Sequence, residues 1–314
     1  MNTNYIKRLC KSLWHDMKRP TYKGVKVAGV NNDTWIPSFI VDRLGYEHPR
    51  RVAYFTVNSF PELLRMDRHR FRFLCIMENV HVYQAHWELF VDIQQQPWAP
   101  NLTMGFDYID QDNYLRFPYW LIDNFTPMTS YDDVADFVHK YNFAQNIHRE
   151  RFCAFICRKD YFGDRATMAD LVESIEPLTY PSDFRHNDDA MRTRYKNDKI
   201  AYLNSFRFNL CPENTNNRGY VTEKIFHAVK AGCVPVYWGN EGFPETNILN
   251  KDAIIYLDRE NPKPALDLIT LLNSNDKAYA EFASQPRFTD NAVDEIYAFY
   301  RDLENRMRAI LEMQ

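Results

Sequence analysis

The stretch NLCPENTNNRGYVTEKIFHAVKAGCVPVYWG, residues 209–239, places a very polar loop between two apolar segments. FRFNL (206–210) predicts a strand, TEKIFHAVKAG (222–232) a helix and CVPVYW (233–238) the next strand. This order of strand, helix and strand is typical of an α/β unit with parallel strands. The polar loop then lies at the carboxyl end of a strand, where ligands bind in open α/β sheets.

The loop and the first turn of the helix carry groups that suit a phosphate. A helix N-terminus offers unpaired N–H groups and the positive end of its dipole, and Asn214, Tyr220 and Lys224 add side-chain donors. Glu223 is an acceptor, which favours a ligand with hydroxyls such as a ribose or a sugar. A structural interpretation stays open, because a Glu in the first turn also interacts with the dipole and Asn-rich loops form turns. With Gly219 as its one glycine, the loop is neither a Walker loop nor a GxGxxG motif.

The rest of the chain repeats the alternation of strands and helices. Before residue 150, strands are predicted at 24–30, 51–57, 71–77 and 102–108, with helices at 35–45 and 130–143. After residue 150, further strands are predicted at 151–157 and 253–257, a helix at 167–175, and a long amphipathic helix after Pro286. The sequence therefore predicts an α/β protein whose two halves meet around residues 143–150.

Composition narrows the class of protein. The chain has 314 residues, enough for two domains of about 150 residues each. Its formal charge of −4 gives no sign of a nucleic-acid partner. No apolar stretch reaches the ~18 residues of a membrane span, and the basic N-terminal segment lacks the apolar core of a secretory signal. Six cysteines without a CxxC spacing indicate a reducing compartment. We therefore expect a cytoplasmic protein, a location compatible with peripheral association at the inner face of the membrane.

One long segment resembles a known family. YVTEKIFHAVKAGCVPVYWG (220–239), preceded by FRFNLCPEN (206–214), resembles the signature of the α-1,3-fucosyltransferases, glycosyltransferase family 10. The family pattern joins an acidic-Asn turn, Tyr-Val-Thr-Glu-Lys, an apolar helix that ends in a small residue, and Val-Pro-Val-Tyr-x-Gly. Weaker resemblance covers MGFDYIDQDNYLRFPYW (104–120) and SIEP (174–177). The shorter chain is similar to bacterial members.

The resemblance implies a fold and a reaction. The fold would be of the GT-B type, with two Rossmann-like domains that face each other across a cleft and a C-terminal amphipathic helix. We expect an acceptor-binding domain at 1–147, a GDP-fucose-binding domain at 148–285 and the helix at 286–314. The reaction would be an inverting transfer of L-fucose from GDP-β-L-fucose to N-acetylglucosamine or glucose of a lactosamine-type glycan, in α-1,3 or α-1,4 linkage. Lewis-antigen and lipopolysaccharide glycans are the products that a bacterial member suggests.

Two cations are expected at the leaving diphosphate. Arg165 lies just ahead of the predicted helix 167–175, and its spacing to SIEP matches that of the family's phosphate-binding arginine. Lys224 lies in the family signature. These side chains and the helix amides would stabilise the negative charge that grows on the diphosphate. The resemblance therefore implies no cofactor and no metal besides the donor GDP-fucose.

Three further residues are assigned to the donor by their position in the signature. Asn214 and Tyr220 would contact the diphosphate. Glu223 would accept hydrogen bonds from the hydroxyls of the sugar or the ribose.

A single displacement also needs a base that takes the proton of the acceptor hydroxyl. Glu78 follows the predicted strand 71–77, and Glu78-Asn79 matches the family's Gly-Glu-Asn. Met77 replaces the glycine, and residues 80–100 are more numerous than the family pattern implies. If this longer segment has brought another carboxylate into place, the candidates are Glu88, Asp92 and Asp107.

Other functions stay open at this stage. A transferase of similar build that uses another nucleotide sugar would have the same loop chemistry. A non-catalytic protein that binds a glycan or a nucleotide should lack the diphosphate cations, whereas Arg165 and Lys224 are both present. A metal-dependent GT-A transferase needs a DxD at a strand end; Asp110-Gln111-Asp112 has that spacing but lies in the acceptor half, and we predict a turn there.

Overall fold

The computed structural model describes residues 7, 10, 14, 21–28, 34–56, 61–82, 96–144 and 146–313, without the side chains of 61–63. The chain forms two compact units: unit 1 is Met1–Ser130 with Tyr297–Gln314, and unit 2 is Tyr131–Ile296. The first boundary thus lies at 130/131, whereas the sequence analysis places one at 147/148. Which boundary separates acceptor binding from donor binding stays a prediction.

Unit 1 is built on a parallel five-stranded sheet. Its strands are β1 (Lys26–Ala28), β2 (Val52–Thr56), β3 (Phe71–Cys75), β4 (Leu102–Gly105) and β5 (Tyr114–Arg116), and neighbours in the sheet follow chain order. β2 and β3 pair over their whole length, from Val52 opposite Phe71 to Thr56 opposite Cys75. All five residues of β2 are buried, as expected for a parallel strand covered on both faces.

The ranges 34–82 and 96–130 of unit 1, as far as they are described, also contain short helices. They are α1 (Trp35–Ser38), which continues as a π-helical turn over Phe39–Arg43, α2 (Pro61–Met66) and α3 (Tyr119–Asn124), with 3₁₀ turns at Pro49–Arg51 and Val80–Val82. Trp35 is buried, its indole N–H donates to the carbonyl of Phe125 at 2.9 Å, and its ring stacks on Phe39. Tyr300 packs against both rings. Aromatic residues make up 15% of the chain, and this cluster contains some of them.

Unit 2 is built on a second parallel sheet. Its strands are β6 (Arg151–Ala154), β7 (Phe206–Leu210), β8 (Val234–Tyr237) and β9 (Ile255–Tyr256), again in chain order. The helices are α4 (Tyr131–Tyr141), α5 (Asp164–Glu173), α6 (Ala190–Thr193), α7 (Lys199–Leu203), α8 (Glu223–Ala231), α9 (Lys263–Ser274) and α10 (Asp276–Ala283), with a 3₁₀ turn at Lys251–Ala253. The last helix, α11 (Ala292–Ile310), begins in unit 2 and ends in unit 1.

The core of unit 2 lies where α5 and α9 cover the sheet. Met168 and Val172 of α5 and Ile269 of α9 are fully buried in one cluster with Phe208 and Val234 of the strands. The helical stripe predicted for 167–175 is therefore a core face. Burial of side chains of this size stabilises a fold by about 1.5–3 kcal/mol each.

Two fully enclosed arginines tie carbonyl groups of unit 2 together. Arg149 donates to the carbonyls of Asn204 and Ala231, both at 2.7 Å. Arg287 donates to Ala253 and Ala283 at 3.0 and 3.1 Å, and burial lowers the pKa of Arg287 to about 10. The backbone carbonyls that they satisfy would otherwise be left without partners, which is costly in a buried site.

The predicted α/β class with parallel sheets is confirmed, and several elements differ from the sequence analysis. Helices such as Lys263–Ser274 and Asp276–Ala283 were not predicted, and the predicted helix 35–45 is a short α-helix followed by a π-helical turn. β5 was not predicted as a strand, because three residues between polar turns give too short a pattern. Helix α5 begins at Asp164 rather than at 167. The carboxylate of Asp160 accepts from the amides of Gly163 at 3.0 Å and Ala166 at 2.8 Å, so the first turn is satisfied and Arg165 lies inside the helix.

Candidate active site

Helix α8 begins directly after the polar loop, at the carboxyl edge of the second sheet. Thr222 precedes it with extended backbone angles, φ −113° and ψ −168°, and Gly232 ends it in the left-handed region at φ 72°. The apolar face, which includes Ile225, Phe226 and Val229, is buried. Burial of this face fixes the direction of the helix, so its first turn remains next to the loop.

A pocket of about 60 Å³ opens at this edge. Residues that follow β6 and β7 line it, together with side chains from α5, α7 and α8. Arg165, Glu223 and Lys224 all line the pocket. The structure therefore brings together three of the five donor-site residues that the sequence indicates, although Arg165 and Lys224 are far apart in the chain.

Lys224 is held by a carboxylate that solvent does not reach. The side chain of Glu213 is 0% exposed, and its Oε2 accepts from Lys224 Nζ at 2.7 Å and from Thr222 Oγ1 at 2.8 Å. Its Oε1 accepts from the backbone N–H of Thr222 at 2.7 Å. Lys224 Nζ also donates to Thr222 Oγ1 at 2.8 Å. An ammonium group has three N–H donors, so one of them has no partner among the described residues.

Gly239 allows the close approach of the chain to Glu213. A Cβ at position 239 would lie 2.8 Å from Glu213 Cγ, and its φ of +142° is a conformation that other residues avoid. The backbone N–H of Glu213 donates to the carbonyl of Trp238 at 2.8 Å. Burial raises the pKa of the neighbouring Tyr237 well above its ordinary value, and the charge of Glu213 raises it further. The turn after β8 thus fits around the buried carboxylate.

Arg165 is anchored at one side of its guanidinium. Nη1 donates to the carbonyl of Lys159 at 2.6 Å and to Cys157 Sγ at 3.4 Å. Nε is buried and has no hydrogen-bond partner within the described ranges. Burial raises the pKa of the Cys157 thiol, and the adjacent guanidinium lowers it in part. The guanidinium is therefore placed at the pocket with donor capacity to spare.

The two remaining donor-site candidates lie in the loop and do not line the pocket. Tyr220 is 2% exposed and packs inside unit 2. Asn214 Oδ1 is buried and accepts no hydrogen bond in the part of the chain that the structure describes. Asn240 anchors the end of the loop, since its Oδ1 accepts from the backbone N–H of Gly219 at 2.7 Å. Contact of Asn214 or Tyr220 with a ligand stays a prediction.

The candidate base lies in unit 1. Glu78 follows the end of β3 and is exposed, whereas Asn79 beside it is buried. Asn79 Oδ1 accepts from the backbone N–H of His81 at 3.0 Å. The turn that carries Glu78 is thus fixed by its neighbour at the carboxyl end of a central strand.

Asp107 follows β4, the strand next to β3, and is also hydrogen-bonded. Its Oδ1 lies 2.6 Å from Nε2 of His81, and its backbone N–H donates to the hydroxyl of Tyr114 at 3.1 Å. The structure therefore places Asp107 and the Glu78 turn at the same edge of the sheet. The other two carboxylates considered as bases, Glu88 and Asp92, lie outside the described residues.

The DxD spacing forms a turn, as the sequence indicates. The backbone N–H of Tyr114 donates to the carbonyl of Gln111 at 3.1 Å, just before β5. No group of three or more His, Cys, Asp or Glu side chains in the described ranges could hold a metal ion. In the same part of the chain, no helix is both long and apolar enough to cross a membrane.

Sequence reasoning missed several residues of the site. Asn209, a polar residue in the buried strand β7, lines the pocket and donates to the carbonyl of Ala154 at 2.9 Å. Its polarity within an apolar run was a usable signal. His227 lies three residues after Lys224, a spacing that shares a helix face, and Glu213 lies three residues after the end of β7. Lys199 also lines the pocket, and nothing in its local sequence indicates this.

A family model matches the part of the chain that contains most residues of this pocket. Residues 163–306 match the family model described as glycosyltransferase family 10 (fucosyltransferase) C-term. The matched segment contains Arg165, the polar loop and the whole of α8.

Two relatives differ in what their names state: one name gives an alpha-(1,3) linkage, and the other gives protein as the acceptor. The alpha-(1,3)-fucosyltransferase FucT of Helicobacter pylori is 31% identical over 152 residues, which cover 48% of this chain and 30% of that protein. GDP-fucose protein O-fucosyltransferase 3 of Xenopus tropicalis is 38% identical over 80 residues, which cover 26% of this chain and 17% of that protein. The chain therefore spans less than a third of the length of these curated relatives.

Solved structures share the fold over more of the chain. A crystal structure of an alpha1,3-fucosyltransferase matches with a TM-score of 0.58 and 20% identity, over 90% of this chain and 89% of the other. An alpha1,3-fucosyltransferase with GDP-fucose matches with a TM-score of 0.51 and 21% identity, over 80% and 77%. At this identity the likeness shows the fold, which is the GT-B type. The segment 163–306, with its complete loop-and-helix signature, is the part of the chain that is similar to glycosyltransferase family 10, the fucosyltransferase family.

Proposed function

We propose that the protein is an inverting fucosyltransferase. It moves L-fucose from GDP-β-L-fucose to a hydroxyl of N-acetylglucosamine or glucose in a lactosamine-type glycan, in α-1,3 or α-1,4 linkage. The observation that carries this proposal is the convergence of Arg165, Glu223 and Lys224 on one pocket at the N-terminus of α8, inside the segment that matches the family.

The leaving group explains why two cations belong here. When the acceptor oxygen attacks C1 of fucose, the bond from C1 to the phosphate oxygen breaks and its electrons stay on GDP. Negative charge grows on the diphosphate, and preorganised positive groups stabilise that charge most in the transition state. Arg165 and Lys224 supply this charge without a metal ion, and the N-terminal amides of α8 add to it.

Glu213 and Thr222 position the lysine. Two bonds to these residues use two of the three ammonium N–H donors, and the third donates to a phosphate oxygen. A long lysine side chain loses conformational freedom when it binds an anion. Because Glu213 already fixes Lys224, much of that cost is met on folding.

Glu223 and the two neutral residues, Asn214 and Tyr220, contact different parts of the donor. Glu223, in the first turn of α8, accepts hydrogen bonds from hydroxyls of fucose or ribose. Asn214 and Tyr220 contact the diphosphate once the loop has bound the donor.

Glu78 is the proposed base. It takes the proton of the acceptor hydroxyl while that oxygen attacks C1 from the side opposite to GDP, which turns the β-linked donor into an α-fucoside. Its position after β3 in unit 1 agrees with a role on the acceptor rather than on the nucleotide. Residues 1–147 are accordingly proposed to bind the acceptor and residues 148–285 the donor.

A second acceptor is supported by one observation. The GDP-fucose protein O-fucosyltransferase 3 relatives match this chain at 32–38% identity over about 80 residues. The same donor chemistry with a Ser or Thr hydroxyl as the acceptor would give a protein O-fucoside. The acceptor assay below includes this alternative.

Donor binding is tested by thermal shift, because a ligand that binds only the native state raises its stability by mass action. GDP should raise the melting temperature more than UDP or ADP does. A larger shift with UDP would contradict the proposal at its first step and favour a transferase for another nucleotide sugar.

Turnover is tested with radiolabelled GDP-fucose and a panel of type 1 and type 2 disaccharides and Ser/Thr peptides. Arg165→Ala and Lys224→Ala should each lower the rate by about 10²–10³ and weaken GDP binding. Arg192→Ala, an exposed arginine of unit 2, is the matched control and should keep wild-type turnover. Activity should also survive a chelator; complete loss in EDTA that added metal restores would contradict the assignment of charge to these two residues.

A further inference from the structure

Basic residues gather at the amino ends of three neighbouring strands of unit 1. Lys26 opens β1, Arg50 and Arg51 precede β2, and Arg68 and Arg70 precede β3; all five line one open hollow of about 440 Å³. We call this surface the basic hollow. Because the strands are parallel, their amino ends lie together at the edge opposite to the one that carries Glu78 and Asp107. The basic hollow is therefore separate from the edge to which acceptor chemistry is assigned.

The charge of the basic hollow is not balanced locally. Asp67 is the carboxylate in its lining, and it is occupied by His69, whose Nδ1 lies 3.0 Å away. Arg70 forms an ion pair with Glu312. Arg50, Arg51 and Arg68 form no ion pair with any described residue. A concentration of positive charge in a chain of net charge −4 indicates attraction to an anionic surface.

The basic hollow does not have the form of a site for a small soluble anion. Such a site surrounds the ion with convergent, partly buried donors, whereas all four arginines are exposed. Met66 also lines the hollow and is 51% exposed. An open array of guanidinium groups with an apolar side chain among them is the composition of a membrane interface, where cations meet lipid phosphates and apolar groups enter the headgroup layer.

We propose that the basic hollow docks the protein onto anionic phospholipid headgroups of a membrane. Arg50, Arg51 and Arg68 pair with lipid phosphates, and Met66 lies at the headgroup level. The attraction is electrostatic, so it decays within a Debye length of about 8 Å at physiological ionic strength. This interaction does not depend on the proposed fucosyltransferase activity.

The test is sedimentation of the full chain with sucrose-loaded vesicles. Vesicles of phosphatidylcholine with phosphatidylglycerol should bind the protein at low salt and release it at high salt, and vesicles of phosphatidylcholine alone should not bind it. Each basic residue near an anionic surface contributes roughly fivefold to binding. The triple variant Arg50→Glu, Arg51→Glu, Arg68→Glu should therefore bind roughly a hundredfold more weakly or worse.

A matched triple variant separates the effect of the basic hollow on vesicle binding from the effect of the net charge of the chain. Arg194→Glu, Lys251→Glu and Lys277→Glu change the charge of the chain equally at exposed positions of unit 2, and should reduce binding far less. A Gln version of the hollow triple gives a milder change, and all variants are checked for native circular dichroism and for the response to GDP. Equal binding of wild type to both kinds of vesicle would overturn the proposal. Full binding by the folded hollow variants would also overturn it.

Discussion

Lys224 carries its charge beside a carboxylate that solvent cannot reach, and the pair shares Thr222 as a third member. A buried ion pair often adds little net stability, because both charges lose their hydration. The role of the ion pair at this site is to position Lys224, because it restricts the side chain to fewer rotamers than an exposed lysine has. The same two bonds leave one N–H donor for an anion.

The contribution of this pair is measurable. Glu213→Gln keeps the size of the side chain and an acceptor for the Thr222 amide, but it removes the charge that holds Lys224. We expect the free energy of unfolding to fall by about 1.5–3 kcal/mol, the range for hydrogen bonds to charged groups, as measured by urea denaturation. GDP binding should weaken as well.

Asp267→Asn is the matched control for Glu213→Gln. It breaks an exposed ion pair with Lys263, for which we expect a loss of at most about 0.5 kcal/mol. Equal losses in the two variants would mean that the buried pair has no special role in stability.

Glu78 provides the sharpest test of the mechanism. Glu78→Gln preserves shape and cannot accept the proton, so turnover should fall by about 10²–10⁴ while GDP affinity stays at the wild-type value. The acidic limb of the pH–rate profile should flatten in the remaining activity. Normal turnover would transfer the role to another carboxylate, and variants of Glu88, Asp92 and Asp107 would then be measured.

At the scale of the element, the turn after β8 is shaped by two glycines with similar backbone angles. Gly239 has φ +142° and Gly242 has φ +153°. A Cβ at 239 would lie 2.8 Å from Glu213, whereas a Cβ at 242 would have no atom within 4 Å. The two positions therefore separate backbone strain from steric conflict.

Alanine at these positions should have different effects. Gly242→Ala introduces backbone strain alone, about 1–3 kcal/mol. Gly239→Ala adds a collision with Glu213 of about 1–3 kcal/mol more, the cost of overpacking, and should weaken GDP binding because Lys224 loses its partner's position. Chemical denaturation and GDP titration measure both effects. A Gly242→Ala protein as unstable as Gly239→Ala would show that the contact with Glu213 is not the cause.

The turn before β1 is joined to the π-helical segment of unit 1 through Asp42. This carboxylate accepts from Tyr22, from Lys23 at 2.6 Å and from Ser38 at 2.8 Å. Its hydrogen bond with Lys23 is the largest cause that lowers the pKa of Asp42 to about 2. A carboxylate with a depressed pKa stabilises the fold above its unfolded pKa of about 4. That contribution is lost as the pH falls toward 2.

Removal of the Asp42 charge should change how the free energy of unfolding depends on pH at acid pH. Asp42→Asn should lower the free energy of unfolding near neutral pH by about 1 kcal/mol, a modest value because solvent screens the site. The difference from wild type should shrink as the pH falls from 4 to 2. Thermal melts across this range measure it, with the exposed Asp136→Asn as control. A difference that stays constant with pH would exclude the ion pair as its source.

At the scale of the whole molecule, the chain joins two compact units through helix α11, which begins in one and ends in the other. The pocket with Arg165 and Lys224 is built entirely from unit 2. The basic hollow and Glu78 both belong to unit 1. Substitutions in the pocket and substitutions in the basic hollow therefore change different units.

Hydrogen exchange in the presence of GDP should show this division. A bound ligand suppresses local opening of the segments that contact it. Exchange should slow in peptides that cover 155–166 and 211–225. Peptides that cover β2 and β3 should respond less, because no residue of these strands lines the pocket. Equal protection in both units would indicate that GDP stabilises the whole chain as one cooperative body.

The sequence by itself determined every described strand except β5, several of the helices and the position of the polar loop before α8. Strands such as 206–210 and helices such as 223–231 are recognisable because their apolar period is local, and a loop between them must lie at a strand end. The resemblance of Tyr-Val-Thr-Glu-Lys to the family signature indicated Glu223 and Lys224. Strand β5 escaped prediction because its three residues lie between polar turns, whereas the shorter strand β9 lies within the apolar run AIIYL (253–257).

Only the tertiary structure decided which side chains meet. The ion pair of Glu213 with Lys224 depends on how the turn at Gly239 packs against Glu213. The contact of His81 with Asp107 depends on the pairing of β3 with β4. The basic hollow arises because three strands begin at one edge. Such contacts join residues far apart in the chain through the register of parallel strands, and register is set by packing across the whole unit rather than by local sequence.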